Sequence, residues 1–210
     1  MTKSSVILEY LQYIGAKKEA AMYLKLFREV EPSRFALVAT DTSALAVYER
    51  DIAAALAYLS SLGLIPIVVH NATGALGKQL VSDIWNNNGK CQAIMAGLYT
   101  EGAKAAKSIA AKAKELIGAR TIPVIETENA AATLKQLLQT IKPRKLMFLN
   151  KSGGVKTQKG ELLSYINLPN EYASVNKIAA AEYNDVLKTA SEMLAEADWK
   201  LHIEIVPPNG

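Results

Sequence analysis

Short apolar runs alternate with longer helical segments along most of this chain, and this alternation constrains its fold more than any other feature. The runs suited to strands are FALVAT, IPIVVH, CQAIM, TIPVIE, KLMFLN, LLSYINL and KLHIEIV. Helices are expected near residues 48–62, 76–85, 102–117, 129–141 and 179–197. Because parallel strands need helical crossovers, the pattern predicts an α/β protein, a three-layer αβα sandwich with a mainly parallel sheet.

The first 30 residues differ from the rest, because they predict two short helices with no apolar strand between them. The dipeptide Glu31-Pro32 ends the second helix, since a residue before proline disfavours the helical conformation. We therefore divide the chain into an N-terminal helical segment, residues 1–30, and an α/β domain, residues 31–210.

Composition excludes several classes of function. Among 210 residues there is a single cysteine, Cys91, so no internal disulfide can form, and we expect a buried thiol and no metal site. The net charge of +4 is mild, and the lysine-rich stretch 104–114 has no interleaved aromatic residues, which argues against nucleic-acid binding. No apolar stretch approaches the roughly 20 residues of a membrane span. We expect a cytoplasmic protein, or a mitochondrial one if its source is eukaryotic.

Ligands of doubly wound α/β folds bind at the carboxyl ends of the strands. The loops after Thr40, His70, Glu126 and Asn150 are therefore the candidate sites. The first of them reads TDTSAL and has neither the glycine nor the lysine that a phosphate-binding loop uses. Asp41 in this loop could bind a cation, but we expect it to cap the following helix.

Two other loops are candidate binding sites. The second loop, HNATGALGK, is a candidate anion or substrate site through His70, Asn71, Thr73, Gly74 and Lys78. An ordinary strand-to-helix turn explains the same residues, with His70 as a structural histidine. The last loop, NKSGG, is a candidate nucleotide loop through Lys151, Ser152, Gly153 and Gly154. A tight turn is its alternative reading, and we assign no catalytic residue.

Two long segments of the chain resemble a known family. Residues 6–70, which include AMYLKLFREVEPSRFALV, and residues 141–172, IKPRKLMFLNKSGGVKTQKGELLSYINLPNEY, resemble the amino-acid kinase domain of the N-acetylglutamate kinase and synthase family. The resemblance implies a carbamate kinase-like fold and a place in arginine biosynthesis. It also implies ATP and Mg²⁺ as cofactors, phosphate transfer to a carboxylate of an N-acylated amino acid, and subunit assembly through the N-terminal helices.

The chain departs from the family at its functional motifs. The family's K-x-G-G becomes Ala39 with Asp41 and Thr42, and its H-G-A-G-P keeps His70 and Ala72 but loses both glycines. The aspartate of the acidic motif is missing from residues 128–131, and a substrate-binding arginine is replaced by Tyr99. The family also has further strands between the positions that correspond to Arg120 and Ile122. This chain lacks them, so a shortened fold is expected.

These departures predict a non-catalytic relative that acts in subunit assembly or regulation. Its expected partners are further copies of the same chain or an arginine-pathway enzyme, and a small-molecule effector could regulate it. The alternative is a divergent acetylglutamate-type kinase in which Lys78 or Lys151 replaces the missing lysines. Only that alternative would require ATP and Mg²⁺.

Overall fold

The computed structural model describes residues 34–72, 74–98 and 103–208, so the predicted N-terminal helical segment lies outside the described part. The described residues contain a six-stranded sheet in the order β3-β4-β2-β1-β5-β6, and every neighbouring pair of strands is parallel. The strands are β1 Leu37–Thr40, β2 Ile67–His70, β3 Cys91–Met95, β4 Ile122–Glu126, β5 Lys145–Leu149 and β6 His202–Val206.

Helices connect these strands and cover the sheet. They are α1 Thr42–Ser61, α2 Ala75–Asn86, α3 Ala103–Gly118, α4 Ala130–Ile141, α5 Tyr172–Ile178 and α6 Asn184–Glu196. Helix α1 packs against α2, whereas α4 packs against α3 and α6. With right-handed crossovers, this strand order places the two groups on opposite faces of the sheet. The predicted αβα sandwich with a parallel sheet is therefore confirmed.

Strand β1 lies in the middle of the sheet and sets the register of the candidate loops. Thr40, its last residue, is aligned with His70 at the end of β2 and with Leu149 at the end of β5. All residues of β1 and β2 are buried, and five of them belong to the main core between the sheet and its helices: Leu37, Ala39, Ile67, Val68 and Val69. The carboxyl ends of three strands therefore meet at one edge of the sheet.

The helix predicted near residues 48–62 starts earlier than expected. Helix α1 begins at Thr42, six residues before the predicted start near Tyr48, which is itself a non-helical kink inside the helix. The cause is the cap that the sequence predicted, since Asp41 Oδ1 accepts a hydrogen bond from the Ala44 amide at 2.7 Å. The side chain satisfies an amide that the helix leaves unpaired, so the helix forms from the end of β1.

The predicted strand at residues 162–168 is wrong. This segment makes a single isolated bridge, between Leu162 and Lys156, and otherwise has no strand pairing. Leu163, Ile166 and Leu168 pack instead against a second core cluster of buried residues, Val155, Val175, Ala179, Tyr183 and Leu187. The apolar residues of the segment are thus satisfied by packing and not by a sheet.

The predicted helix at residues 179–197 is divided. Ala179 and Ala180 are extended, with ψ of 149° and 145°, and a 3-10 turn at Ala181–Tyr183 precedes α6. The Ala180 amide donates a hydrogen bond to the Lys156 carbonyl at 2.9 Å, and Ala179 pairs with Thr157. This pairing with a distant loop overrides the high helix propensity of alanine. Among the described residues, no helix combines the length and apolarity needed to cross a membrane.

Candidate functional site

A cavity of about 250 Å³ opens where the carboxyl ends of β1, β2 and β5 meet. Thr40, Asp41, Asn71 and Asn150 line it from the strand ends, and the first turns of α4 and α6 close its sides. From β1 the chain passes to β2 on one side of the sheet, whereas from β5 it passes to β6 on the other. Such a topological switch point is the usual ligand site of open α/β sheets, and we call this space the switch-point cavity.

Negative charge dominates the lining of the switch-point cavity. Asp41 and Asp185 contribute carboxylates, and no lysine, arginine or histidine is found among the described residues that line it. Asp41 is partly committed to its helix, because Oδ1 accepts hydrogen bonds from the Ala44 amide and from the Ser43 hydroxyl, at 2.7 and 2.8 Å. The cavity therefore lacks the cation with which proteins usually hold a phosphate.

Some backbone amides near the switch-point cavity are also engaged. The Thr42 amide and hydroxyl both donate to Asn71 Oδ1, at 3.0 and 3.2 Å. At the start of α4, Asn129 Oδ1 accepts a hydrogen bond from the Ala132 amide at 3.1 Å. Helix N-termini can bind anions through unpaired amides. Side chains occupy the Thr42 and Ala132 amides, whereas the N-terminus of α6 has no side-chain cap.

Thr40 is the unsatisfied polar group of this region. It lines the switch-point cavity and is 5% exposed, and its Oγ1 atom is buried without a hydrogen-bond partner. A buried hydroxyl without a partner costs free energy. That oxygen exposes less than 1 Å² of surface, so a ligand in the cavity would not reach it.

The residues of the predicted anion loop do not come together at one site in the structure. His70 is 1% exposed, and burial lowers the pKa of its imidazole, although the nearby Glu126 carboxylate opposes this shift. Asn71 is exposed and reaches the switch-point cavity, whereas Gly74 begins α2 with a φ of 73° and Lys78 points outward from α2 as an exposed residue. Thr73 lies outside the described residues. His70 is thus buried at the end of β2 and does not line the switch-point cavity.

The predicted nucleotide loop forms a turn that uses its own amides. The Ser152 amide donates to Asn150 Oδ1 at 2.8 Å, and the Gly153 amide donates to the Asn150 carbonyl at 2.9 Å. Gly153 has a φ of 79°, which explains the glycine, and Lys151 is exposed and outside the switch-point cavity. Gly154 lines a separate apolar groove beside β6. The arrangement matches the tight-turn reading of this loop.

Two further candidate chemistries find no support in the described residues. Cys91 is 3% exposed, and burial raises the pKa of its thiol to about 11, so it is a poor nucleophile at neutral pH. Within the described ranges, no group of three histidine, cysteine, aspartate or glutamate side chains is placed to hold a metal ion.

Sequence reasoning missed the residues that α6 and β5 bring to the site. Asp185 and Thr189 line the switch-point cavity from α6, and Phe148 lines it from β5. The predicted helix at 179–197 includes residue 185 without giving it a role in the site. The sequence signal would have been the pair Asn184-Asp185, because such residues favour the first turn of a helix.

Searches with the sequence give relatives but no match to a family model. The chain is 24% identical over 244 aligned residues to protein arg-6, mitochondrial, of Neurospora crassa, which covers 90% of this chain and 28% of that protein. It is 24% identical over 216 residues to the acetylglutamate kinase of Xylella fastidiosa, which covers 76% of this chain and 51% of the kinase. The chain therefore spans only about a quarter to a half of the length of these relatives.

Two solved structures have folds similar to that of this chain. The N-acetylglutamate synthase from Neisseria gonorrhoeae, complexed with coenzyme A and N-acetyl-glutamate, matches with a TM-score of 0.65 at 13% identity, over 85% of this chain and 55% of that one. The UMP kinase from Ureaplasma parvum matches with a TM-score of 0.54 at 12% identity, over 84% and 92% of the two chains. The predicted resemblance is confirmed, and this chain is a homologue of acetylglutamate kinases with an amino-acid kinase fold.

Proposed function

We propose that this chain is a non-catalytic relative of the acetylglutamate kinases, acting in arginine biosynthesis through subunit assembly or regulation. The observation that supports this most is the acidic lining of the switch-point cavity, which includes Asp41 and Asp185 and, among the described residues, no cationic side chain. The cavity is where the fold would place a nucleotide, since it lies at the switch point of the sheet.

Of the family's cofactors, ATP does not fit the residues present, because no cationic side chain is among the described residues that line the switch-point cavity. Phosphoryl transfer depends mainly on positioning and on stabilising the negative charge of the phosphates. The loss of one such donor typically costs about 2.7–4 kcal/mol. Here the phosphate lysines are replaced, and the amides of Thr42, Ser152 and Gly153 already have protein acceptors. The carboxylates of Asp41 and Asp185 would also repel the phosphate groups of ATP.

A coupled assay of ADP release with ATP, Mg²⁺ and N-acetylglutamate tests the proposal. We expect no turnover above background, with the Xylella fastidiosa acetylglutamate kinase as the positive control. Turnover near about 1 per second, at the low end for kinases, would support the divergent kinase instead. Lys78→Ala and Lys151→Ala would then identify which exposed lysine replaces the missing ones.

The assembly role is tested separately, by the mass of the full chain in solution. Multi-angle light scattering after size exclusion should give at least twice the mass of one chain, either alone or mixed with an arginine-pathway enzyme. A single-chain mass in both experiments would leave small-molecule regulation as the proposed role. For the compartment we propose the cytoplasm, with the mitochondrion as the alternative, since the Neurospora relative is named as mitochondrial.

A further inference from the structure

We propose that the N-terminal helical segment packs on its own domain, with the second predicted helix, residues 17–30, on an uncovered face of strands β5 and β6. The inference goes beyond the proposed function, because it does not depend on whether the chain is catalytic. Three observations support it: the exposure of this face, the point at which residues 1–33 join the domain, and the apolar pattern of residues 17–30.

The register of the sheet defines the uncovered face. The side chain of His70 faces α2, since a Cβ atom at Gly77 of that helix would lie 2.9 Å from His70 Cε1. Aligned residues of parallel strands point to the same face, and side chains alternate along each strand. Leu149 and Val206 align with His70 through Thr40, so they point to the side of α1 and α2. We call this surface the β5–β6 face, formed by Lys145, Met147, Leu149, His202, Glu204 and Val206.

No described helix crosses the β5–β6 face. Helix α1 connects β1 to β2 and α2 connects β2 to β3, whereas the crossovers that lead to β5 and β6 lie on the opposite side of the sheet. Met147, Leu149 and Val206 are accordingly only partly buried, although every residue of the neighbouring β1 is buried. Strand β5 has a strand on each side, so its exposure is not that of a sheet edge. Parallel sheets are normally covered on both faces.

Residues 1–33, which precede the described part, join the domain beside this face. The Arg34 carbonyl accepts a hydrogen bond from the Arg144 amide at 3.0 Å, and Arg34 Nε donates to the Lys142 carbonyl at 2.8 Å. Residue 34 therefore lies at the amino end of β5. Residues 31–33 span at most about 11 Å, which keeps the preceding helix close to this end of the sheet.

The helices already present leave one place for it there. On one side of the sheet α1 covers β1 and β2, and on the other α4 packs against α6. Among the described residues, the β5–β6 face is the uncovered surface that a helix tied to residue 34 can reach. A helix of 14 residues spans about 21 Å and a strand of five residues about 17 Å, so the lengths of the helix and β5 match.

The sequence of residues 17–30, KKEAAMYLKLFREV, has the pattern of a helix with one apolar side. Ala20, Tyr23, Leu24 and Phe27 recur at the spacing of one helical face, whereas Lys25 points away from it. Such a stripe needs an apolar surface to cover it, and Met147 is the centre of one on β5. Burial of the two surfaces against each other removes both from water.

Cysteine cross-linking in the full chain tests the contact. Leu24→Cys and Met147→Cys are combined in one variant and treated with a short, flexible bis-maleimide. Cys91 is 3% exposed, so it should stay unreacted as long as the domain is folded. By mass spectrometry we expect a cross-link within a single chain. A cross-link found only between two chains would assign the face to the segment of a second copy, and the absence of any cross-link would leave it uncovered; both results overturn the inference.

Lys25→Cys combined with Met147→Cys is the matched control. Adjacent positions of a helix point about 100° apart, so a packed helix turns residue 25 away from β5. We expect at least about threefold less cross-linking within the chain than with Leu24→Cys. Equal yields from the two pairs would indicate a tether that does not pack, and would contradict the inference.

Thiol labelling tests the covering without a cross-linker. Met147→Cys alone should react with a maleimide at least about tenfold more slowly than Tyr165→Cys, whose position is 86% exposed. Adding Phe27→Asp to Met147→Cys should speed its labelling several-fold, whereas adding Lys25→Asp should leave it unchanged. Unreacted Cys91 in each variant shows that the domain remains folded. Equal rates for Met147→Cys with and without Phe27→Asp would refute the proposed contact.

Discussion

The side chains of Glu49 on α1 and Asp83 on α2 lie within hydrogen-bonding reach of each other, so two carboxyl groups share one contact between neighbouring helices. Glu49 is 9% exposed, and its Oε1 atom is buried without a partner. Burial, followed by the hydrogen bond and the charge of Asp83, raises the pKa of Glu49 to about 7, against the opposing charge of Arg50. The pKa of Asp83 is lowered, first by a hydrogen bond from Gln79. Below about pH 7, Glu49 is therefore the protonated member of the pair and donates the hydrogen bond to Asp83.

The pair predicts a loss of stability as the pH rises. The folded-state pKa of Glu49 lies above its ordinary value of 4.5, so the folded protein binds this proton more tightly than the unfolded chain. Its contribution is complete below pH 4.5 and is lost as the pH rises through about 7. One pKa unit corresponds to about 1.4 kcal/mol, so this shift sets an upper limit of roughly 3.5 kcal/mol on the contribution. Urea unfolding at pH 5 and pH 8 measures the difference.

Substitution of Glu49 identifies the group responsible. Glu49→Gln retains a donor to Asp83 without a titrating proton, so its stability should change less between pH 5 and pH 8 than that of the wild type. Glu161→Gln, at an exposed position, should retain the wild-type pH dependence. An unchanged pH profile in Glu49→Gln would assign the effect to another group.

Gly77→Ala should destabilise the fold by about 1–3 kcal/mol through overpacking. A Cβ atom at Gly77 would lie 2.9 Å from His70 Cε1, 3.0 Å from the Ala72 carbonyl oxygen and 3.1 Å from Glu126 Oε2. Gly118→Ala is the control, because no atom lies within 4 Å of a Cβ there and alanine favours the helix. Thermal unfolding should show a lower midpoint for the first variant and an equal or higher one for the second.

Asp41→Ala should cost about 1 kcal/mol of stability by removing the cap of α1. The Ala44 amide and the Ser43 hydroxyl lose their shared acceptor, Asp41 Oδ1. Asp41→Ser should recover much of the loss, since serine also caps helices. Chemical denaturation of the three proteins tests this order, and equal stability of the alanine and serine variants would refute it.

Tyr183→Phe should release the turn that follows β5. Tyr183 is completely buried, and its hydroxyl donates to the Ser152 carbonyl at 3.3 Å. Loss of this hydrogen bond should cost about 1 kcal/mol and speed hydrogen exchange at the Ser152 and Gly153 amides. Tyr165→Phe is the control because Tyr165 is 86% exposed. Unchanged exchange in Tyr183→Phe would mean that the turn is held without this contact.

Much of the fold could be predicted because its signals are local. The strands at residues 37–40, 67–70 and 122–126 are short apolar runs, and they lie within the predicted runs. The run at 162–168 has the same composition but no strand pairing, because a strand needs a partner that the local sequence cannot specify. Its apolar side chains pack instead against the core cluster that contains Tyr183.

The sequence correctly predicted that the candidate loops lie at the carboxyl ends of the strands. It did not predict which hydrogen bonds these loops make. Composition suggested Lys151–Gly154 as a nucleotide loop, and only the structure assigns the amides of Ser152 and Gly153 to Asn150. The sequence likewise predicted that Lys78 or Lys151 could bind an anion. Both residues are exposed and neither lines the switch-point cavity.

The sequence by itself determined the alternation of strands and helices and the cap at Asp41, because each depends on neighbours a few residues away. It indicated the parallel sheet through the helical crossovers that parallel strands require. Tertiary structure alone decided that Thr40, Asn71, Phe148 and Asp185 share one cavity, since more than a hundred positions separate the first from the last. It also decided that Ala179 and Ala180 are extended, because pairing with residues 156 and 157 outweighs local helix propensity.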